Sequence, residues 1–92
     1  MEKVVAIIWD DAWNEPYDKT PDELEASHKP YRYTSVGILV QSDAAGVRIA
    51  SDLGQNGSYR DIDFIPRGMI IDEFDIGPVR KRKPRKRSPS DA

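Results

Sequence analysis

The stretch that decides the fold is residues 33–51, Tyr33-Thr34-Ser35-Val36-Gly37-Ile38-Leu39-Val40-Gln41-Ser42-Asp43-Ala44-Ala45-Gly46-Val47-Arg48-Ile49-Ala50-Ser51. Its first half alternates Val36, Ile38 and Val40 against Ser35, Gly37 and Leu39, the period of a β-strand. Asp43-Ala44-Ala45-Gly46 has turn composition, and Val47 to Ser51 alternates again, so the segment predicts a β-hairpin.

Upstream, Val4-Val5-Ala6-Ile7-Ile8-Trp9 is a short β-branched run, the mark of a well-buried strand. It stops at Asp10-Asp11. From there to Pro30 the residues are polar in composition and include Pro16, Pro21 and Pro30. Within them Thr20-Pro21-Asp22-Glu23 has the form of a helix start: Thr20 caps, Pro21 takes the first helical position and Glu23 can close a capping box. Leu24 is the only large apolar residue nearby, which predicts one short helix over 20–27. Downstream, Gly54, Asn56 and Gly57 predict a mobile loop over 53–60. Asp61 to Ile65 and Met69 to Phe74 read as two more strands, separated by a tight turn at Pro66-Arg67-Gly68. The expected fold is therefore mostly β, a five-stranded SH3-like or Sm-like barrel or a strongly bent antiparallel sheet. Alternation predicts Val5, Ile7, Val36, Ile38, Val40, Val47, Ile49, Ile62, Phe64 and Ile70 inside.

Composition changes abruptly after Gly77-Pro78. Residues 1–79 carry seven Lys/Arg against fifteen Asp/Glu, a net of −8; residues 80–92 carry seven against one, a net of +6, and the two make the overall −2. Arg80 to Arg87 holds no large apolar side chain and has nothing to build a core from. The expected organisation is a compact β domain over 1–77 and a disordered basic tail over 78–92, dispensable for folding. The chain has no cysteine, which removes disulfides, thiolate metal sites and thiol catalysis. No apolar run approaches the roughly 18–20 residues of a membrane span, and the N-terminal segment is too short and too soon acidic for a signal peptide. A cytoplasmic location is expected.

The order Thr34 to Val40, Ile49-Ala50 and Ile65-Pro66-Arg67-Gly68-Met69-Ile70, behind an opening strand that ends Trp9-Asp10-Asp11-Ala12, resembles a group of small uncharacterised bacteriophage and prophage proteins of about 70–100 residues. The resemblance covers most of residues 4–74 and stops before the tail. It implies a phage context and a compact β domain, with host-cell cytoplasm as the setting, and carries no activity across.

No constellation points to catalysis or to a cofactor. His28 is the single histidine, no serine sits in a nucleophile elbow, and Gly54-Gln55-Asn56-Gly57 lacks the lysine and spacing of a phosphate loop. Asp10, Asp11, Glu15 and Asp18 lack the alternate ligand spacing of a calcium loop and read as a solvated acidic loop. Asp61 and Asp63 share a strand face where they keep an edge soluble. Trp9 belongs to the core. Trp13 and Tyr17, in a proline-rich loop, either cover the barrel mouth or face a partner, and Tyr31, Tyr33 and Tyr59 pose the same choice more weakly.

The expectation is a non-enzymatic binding protein. Its acidic domain would engage a partner through Trp13, Tyr17, Asp61, Asp63, Asp72 and Glu73. Arg80, Lys81, Arg82, Lys83, Arg85, Lys86 and Arg87 would contact nucleic acid without sequence preference, since no aromatic residue interleaves them. Two alternatives stand beside it. One is an inhibitor of a host protein, such as a defence or nucleic-acid-binding protein, whose acidic surface imitates nucleic acid. The other is an oligomer that binds a small molecule or nucleotide between subunits.

Overall fold

The structure is a computed structural model and describes residues 2–80. Five strands form one antiparallel sheet: β1 (Lys3–Asp11), β2 (Tyr31–Ser42), β3 (Gly46–Leu53), β4 (Tyr59–Pro66) and β5 (Ile70–Pro78). The strand order is β4-β3-β2-β1-β5. A short helix, α1 (Pro21–Ala26), lies in the β1–β2 connection, and a single 3-10 turn (Arg67–Met69) joins β4 to β5.

That connection forces the shape. Laid flat, β4 and β5 would stand four inter-strand steps apart, about 19 Å. Three residues of 3-10 structure advance only about 6 Å. The sheet must therefore curl until its two edges approach. It does so as a strongly bent sheet, and the register carries β4 only onto β3 and β5 only onto β1, so the curl stops short of a closed hydrogen-bonded barrel.

At Gly37 the neighbouring strand approaches closely. A Cβ there would meet the Ala50 carbonyl oxygen and Ile49 Cβ, both at 3.0 Å. A side chain at 37 would hold β3 away from β2, and bare backbone lets the corner turn. A bulge between Leu39 and Gln41 adds to the curvature. Two further bulges on β5, at Val4/Val5 and Ile8/Trp9 of the facing strand, twist that edge away from regular pairing.

The core lies on the concave side. Val5, Ile7, Val47, Ile49 and Ile65 form it, with Trp9, Leu39, Met69 and Ile70 packed around them. Val5, Ile7, Val47 and Ile49 were expected there, and Ile70 borders it. Val36, Ile62 and Phe64 were expected there too and instead stand open on the convex face, at 58%, 49% and 53% exposure; Ile38 and Val40 are half-buried. The reason is parity. Alternation fixes which residues share a face but not which face is inside, and β1 and β2 carry apolar residues at both parities. On β2 the odd positions Ser35, Gly37 and Leu39 turn inward opposite Ile7, Val5 and Ile49. On β4 the inward residue is Ile65, opposite Val47.

The turns follow their composition. Asp43 Oδ1 accepts the N–H groups of Ala45 and Gly46, at 2.9 and 3.3 Å, an Asx turn that closes the β2–β3 hairpin. Thr20 Oγ1 accepts the Glu23 N–H at 3.3 Å and its hydroxyl donates to Glu23 Oε1 at 3.1 Å. This fulfils half of the expected capping box. The loop expected over 53–60 is shorter: β3 runs on to Leu53, β4 begins at Tyr59, and a tight turn between them is stitched by Gly54 N–H to the Ser58 carbonyl at 2.7 Å.

Candidate functional site

The feature that gathers most chemistry is an aromatic corner at the Asp11 end of the β1–β2 ladder. Trp9 pairs with Tyr33 and Asp11 with Tyr31, so all four side chains share the concave face beyond the point where the core ends. The Trp9 and Tyr33 rings stack at 5.2 Å, and Tyr31 leans on Tyr33 at 4.8 Å with a 49° tilt. Trp9 Nε1–H donates to Ser35 Oγ at 2.9 Å. Both tyrosines remain largely open to solvent.

Trp13 extends the corner. Its Nε1–H donates to the Lys29 carbonyl at 2.6 Å, which pins the start of the long loop to its end. Trp13, Glu15, Ser27, Lys29, Pro30 and Tyr31 then line an open groove of about 240 Å³. Tyr17 is the most exposed aromatic residue described, at 79%. Rings held by hydrogen bonds and stacking lose little freedom when a ligand covers them. Their negative faces, beside Asp11 and Glu15, suit a cationic group. Sequence reading had Trp13 and Tyr17 as candidates and gave Tyr31 and Tyr33 little weight. Their period-2 spacing, with Trp9 on the neighbouring strand, is the signal that finds them.

The four acidic candidates are not brought together. Asp61 and Asp63 lie exposed on β4, one edge of the sheet, while the exposed Asp72 and the half-buried Glu73 lie on β5, the other. Asp61 has a φ of 59°, a left-handed conformation that costs a non-glycine residue on the order of 1 kcal/mol, and it accepts the Ser51 hydroxyl at 3.3 Å.

Glu73 is engaged within the fold. Its Oε2 lies 2.9 Å from Arg67 Nη1, and its Oε1 accepts the Ser42 hydroxyl at 2.9 Å. Arg67 also donates through Nη2 to Ser42 Oγ and the Asp43 carbonyl, at 3.0 and 2.6 Å, and through Nε to that same carbonyl. One guanidinium thus ties the 3-10 turn, the β2–β3 turn and β5 together. Its hydrogen bond holds the Glu73 carboxyl below its ordinary value of 4.5. Sequence reading gave Arg67 no role beyond a turn.

At the acidic loop, Arg32 Nε and Nη2 grip both oxygens of Asp10, at 2.7 and 3.0 Å. This lowers the Asp10 pKa and raises that of Arg32. Among the described residues no group of three carboxylate or imidazole side chains is arranged to hold a metal ion, and no helix is long and apolar enough to cross a membrane.

The basic segment leaves from the other end of the molecule. The Val79 N–H donates to the Glu2 carbonyl at 2.9 Å, and Arg80 is exposed. The remaining nucleic-acid candidates, Lys81, Arg82, Lys83, Arg85, Lys86 and Arg87, lie outside the described residues. Comparison with family models, with curated proteins and with solved structures finds no match for the chain.

Proposed function

We propose that the chain is a non-enzymatic adaptor whose aromatic corner holds an extended, cationic, proline-bearing segment of a partner protein while its Arg/Lys tail contacts nucleic acid without sequence preference. The observation that supports this reading is that the aromatic corner and the point where the basic segment begins lie at opposite ends of one ladder. β1 and β5 pair from Trp9 and Ile70 at the aromatic end to Lys3 and Pro78 where the tail begins. Six residues of strand separate these rungs, about 20 Å. Partner and nucleic acid can be held together without collision.

The chemistry of each end supports its role. Seven cations in the eight residues Arg80–Arg87 attract polyanions through counterion release. The body, at −8, repels the same polyanion and keeps it at the tail. At the far end, stacked rings flanked by carboxylates suit arginine or lysine side chains, and Pro30 with Trp13 and Tyr31 forms a groove that an extended chain can follow. The phage context implied by the resemblance would make the partner a host protein and the host cytoplasm the site of action.

Two titrations test the proposal. Random-sequence duplex DNA should bind the full chain weakly, with a log–log salt slope no steeper than about −6, given roughly 0.9 per phosphate neutralised. Replacing the seven tail cations by Ser should abolish that binding. A decapeptide of arginine and proline, followed by tryptophan fluorescence, should bind wild type and the tail variant alike and lose affinity on Tyr31→Ala or Tyr33→Ala. Undiminished DNA binding by the tail variant, or peptide binding indifferent to both tyrosines, would overturn the corresponding half.

A further inference from the structure

The β3–β4 turn holds the pair of residues in which a backbone nitrogen most readily attacks the side chain before it, asparagine followed by glycine. Asn56 precedes Gly57, which has no side chain to shield its amide nitrogen; Asn14, the other asparagine, precedes Glu15. Both asparagines are exposed.

In the folded chain three features oppose the attack at Asn56. The Gly57 N–H donates to the Gly54 carbonyl at 2.9 Å, so the nucleophile is engaged. That bond closes a turn in which neither Gln55 nor Asn56 has a left-handed φ, which makes it type I, with ψ of about 0° at Asn56. Closing a ring through Cγ needs Cβ, Cα, C and the Gly57 nitrogen near one plane, and this ψ sets the nitrogen well out of it. The carboxamide is held as well: Asn56 Oδ1 accepts the Ser58 N–H at 3.1 Å and the Ser58 hydroxyl at 2.7 Å. Gly57, with a φ of 85°, then completes a short hairpin loop. The tip is anchored from outside. Tyr59, opposite Leu53 where β4 begins, donates its hydroxyl to Glu2 Oε2 at 2.6 Å and ties the hairpin to the segment ahead of β1.

We propose that Asn56 is a self-modification site gated by the β3–β4 hairpin, closed while the turn is made and reactive when it opens. In the open turn the Gly57 nitrogen gives up its proton to base and bonds to Asn56 Cγ. The bond from Cγ to the side-chain nitrogen breaks, and ammonia leaves. Water then cleaves the cyclic imide at either carbonyl. One cut leaves aspartate in a normal backbone; the other routes the chain through the side chain and lengthens the loop by one carbon. Loop length sets hairpin register, so the second product does not fit the Leu53–Tyr59 rung and the opening becomes irreversible. Either product adds a negative charge to a body already at −8.

The full chain and a free peptide of residues 52–60 are incubated separately in the same mildly alkaline buffer. Digests are read by mass spectrometry with isoaspartate quantified, and Asn14 is the slow reference in the full-chain digest. Asn56 should convert in the peptide, and at least about tenfold more slowly in the full chain, where conversion waits on local opening. Denaturing urea should bring the chain to the peptide's rate. Tyr59→Phe removes one hydroxyl and keeps the ring. It should speed conversion in the full chain at least about threefold, through the lost hydrogen bond to a carboxylate, and leave the peptide's rate unchanged. Equal rates in native chain and peptide overturn the inference, as does a peptide in which Asn56 stays intact or a Tyr59→Phe chain no faster than wild type.

Discussion

Gly46 is the position where one added methyl group should do most damage. It opens β3 opposite Pro66, and a Cβ built there collides with the Ile65 backbone carbonyl and comes within 2.8 Å of the Phe64 ring. The ring could swing aside, but the carbonyl belongs to the β3–β4 ladder and cannot move without parting the strands. Overpacking of this kind costs typically 1–3 kcal/mol, and an obstacle made of backbone puts Gly46→Ala at about 3. At roughly 4–8 °C per kcal/mol for a domain of this size, the melting midpoint should fall by about 12–24 °C. Gly37→Ala meets its obstacles at 3.0 Å, and part of its cost is offset by the lower chain entropy of alanine, leaving a net loss of about 0.5–1 kcal/mol. Gly68→Ala meets nothing within 4 Å and should be neutral or slightly stabilising. Thermal unfolding followed by tryptophan fluorescence ranks the three. If Gly46→Ala melts within a few degrees of wild type, or Gly68→Ala falls as far, close approach is not what these glycines provide.

Arg67→Met keeps the stem and removes the guanidinium from three elements at once; with the site partly solvated, unfolding in urea should show a loss of about 1–2 kcal/mol. Asp10, Asp43 and Glu73 all have folded pKa values below their ordinary ones. Asp43 is held down first by the Ala45 and Gly46 N–H groups, and the others by arginine. Their contribution is present above the unfolded values of 3.8 to 4.5 and is lost as pH falls through the depressed folded values. The urea midpoint should therefore hold from pH 7 to about 5 and drop below about 4, with Asp43→Asn reducing the drop because the amide oxygen still accepts. Truncation after Val79 should leave the melting midpoint unchanged, since the removed residues have no large apolar group to withdraw, only Pro84, Pro89 and Ala92; a fall of more than a few degrees would show the tail docked on the acidic body.

Local chemistry was legible in the sequence, and long-range closure was not. The existence of all five strands, the Asp43–Gly46 turn and the Thr20 cap each depend on a few adjacent residues and were legible there, although the last strand, expected over Met69 to Phe74, runs from Ile70 to Pro78. The inward parity of β2 and β4 depends on which side of a bent sheet becomes concave. That is settled by contacts across strands, such as Val5, Ile7, Val47, Ile49 and Ile65 meeting in one core. The same limit hid Arg67, whose partners stand 24 or more residues away at Asp43 and Ser42, though only six away at Glu73. At the candidate site, Trp13 stood out as a large aromatic among charges, but Tyr31 and Tyr33 became a corner only once Trp9 was placed beside them.

The pairing of Lys3 with Pro78 at one end of the β1–β5 ladder has a mechanical meaning. The chain enters β1 and leaves β5 at the same rung, so a pull between the N-terminal residues and the tail loads the hydrogen bonds in sequence rather than in parallel. Strands drawn apart in this way open like a zipper, each rung taking the whole force in turn. Tension applied between the two chain ends would peel β5 from Pro78 toward Ile70 while β1 to β4 stayed paired. β5 would open up to the Arg67 anchor, and the aromatic corner at the far end of the ladder would be the last part of it to feel the load.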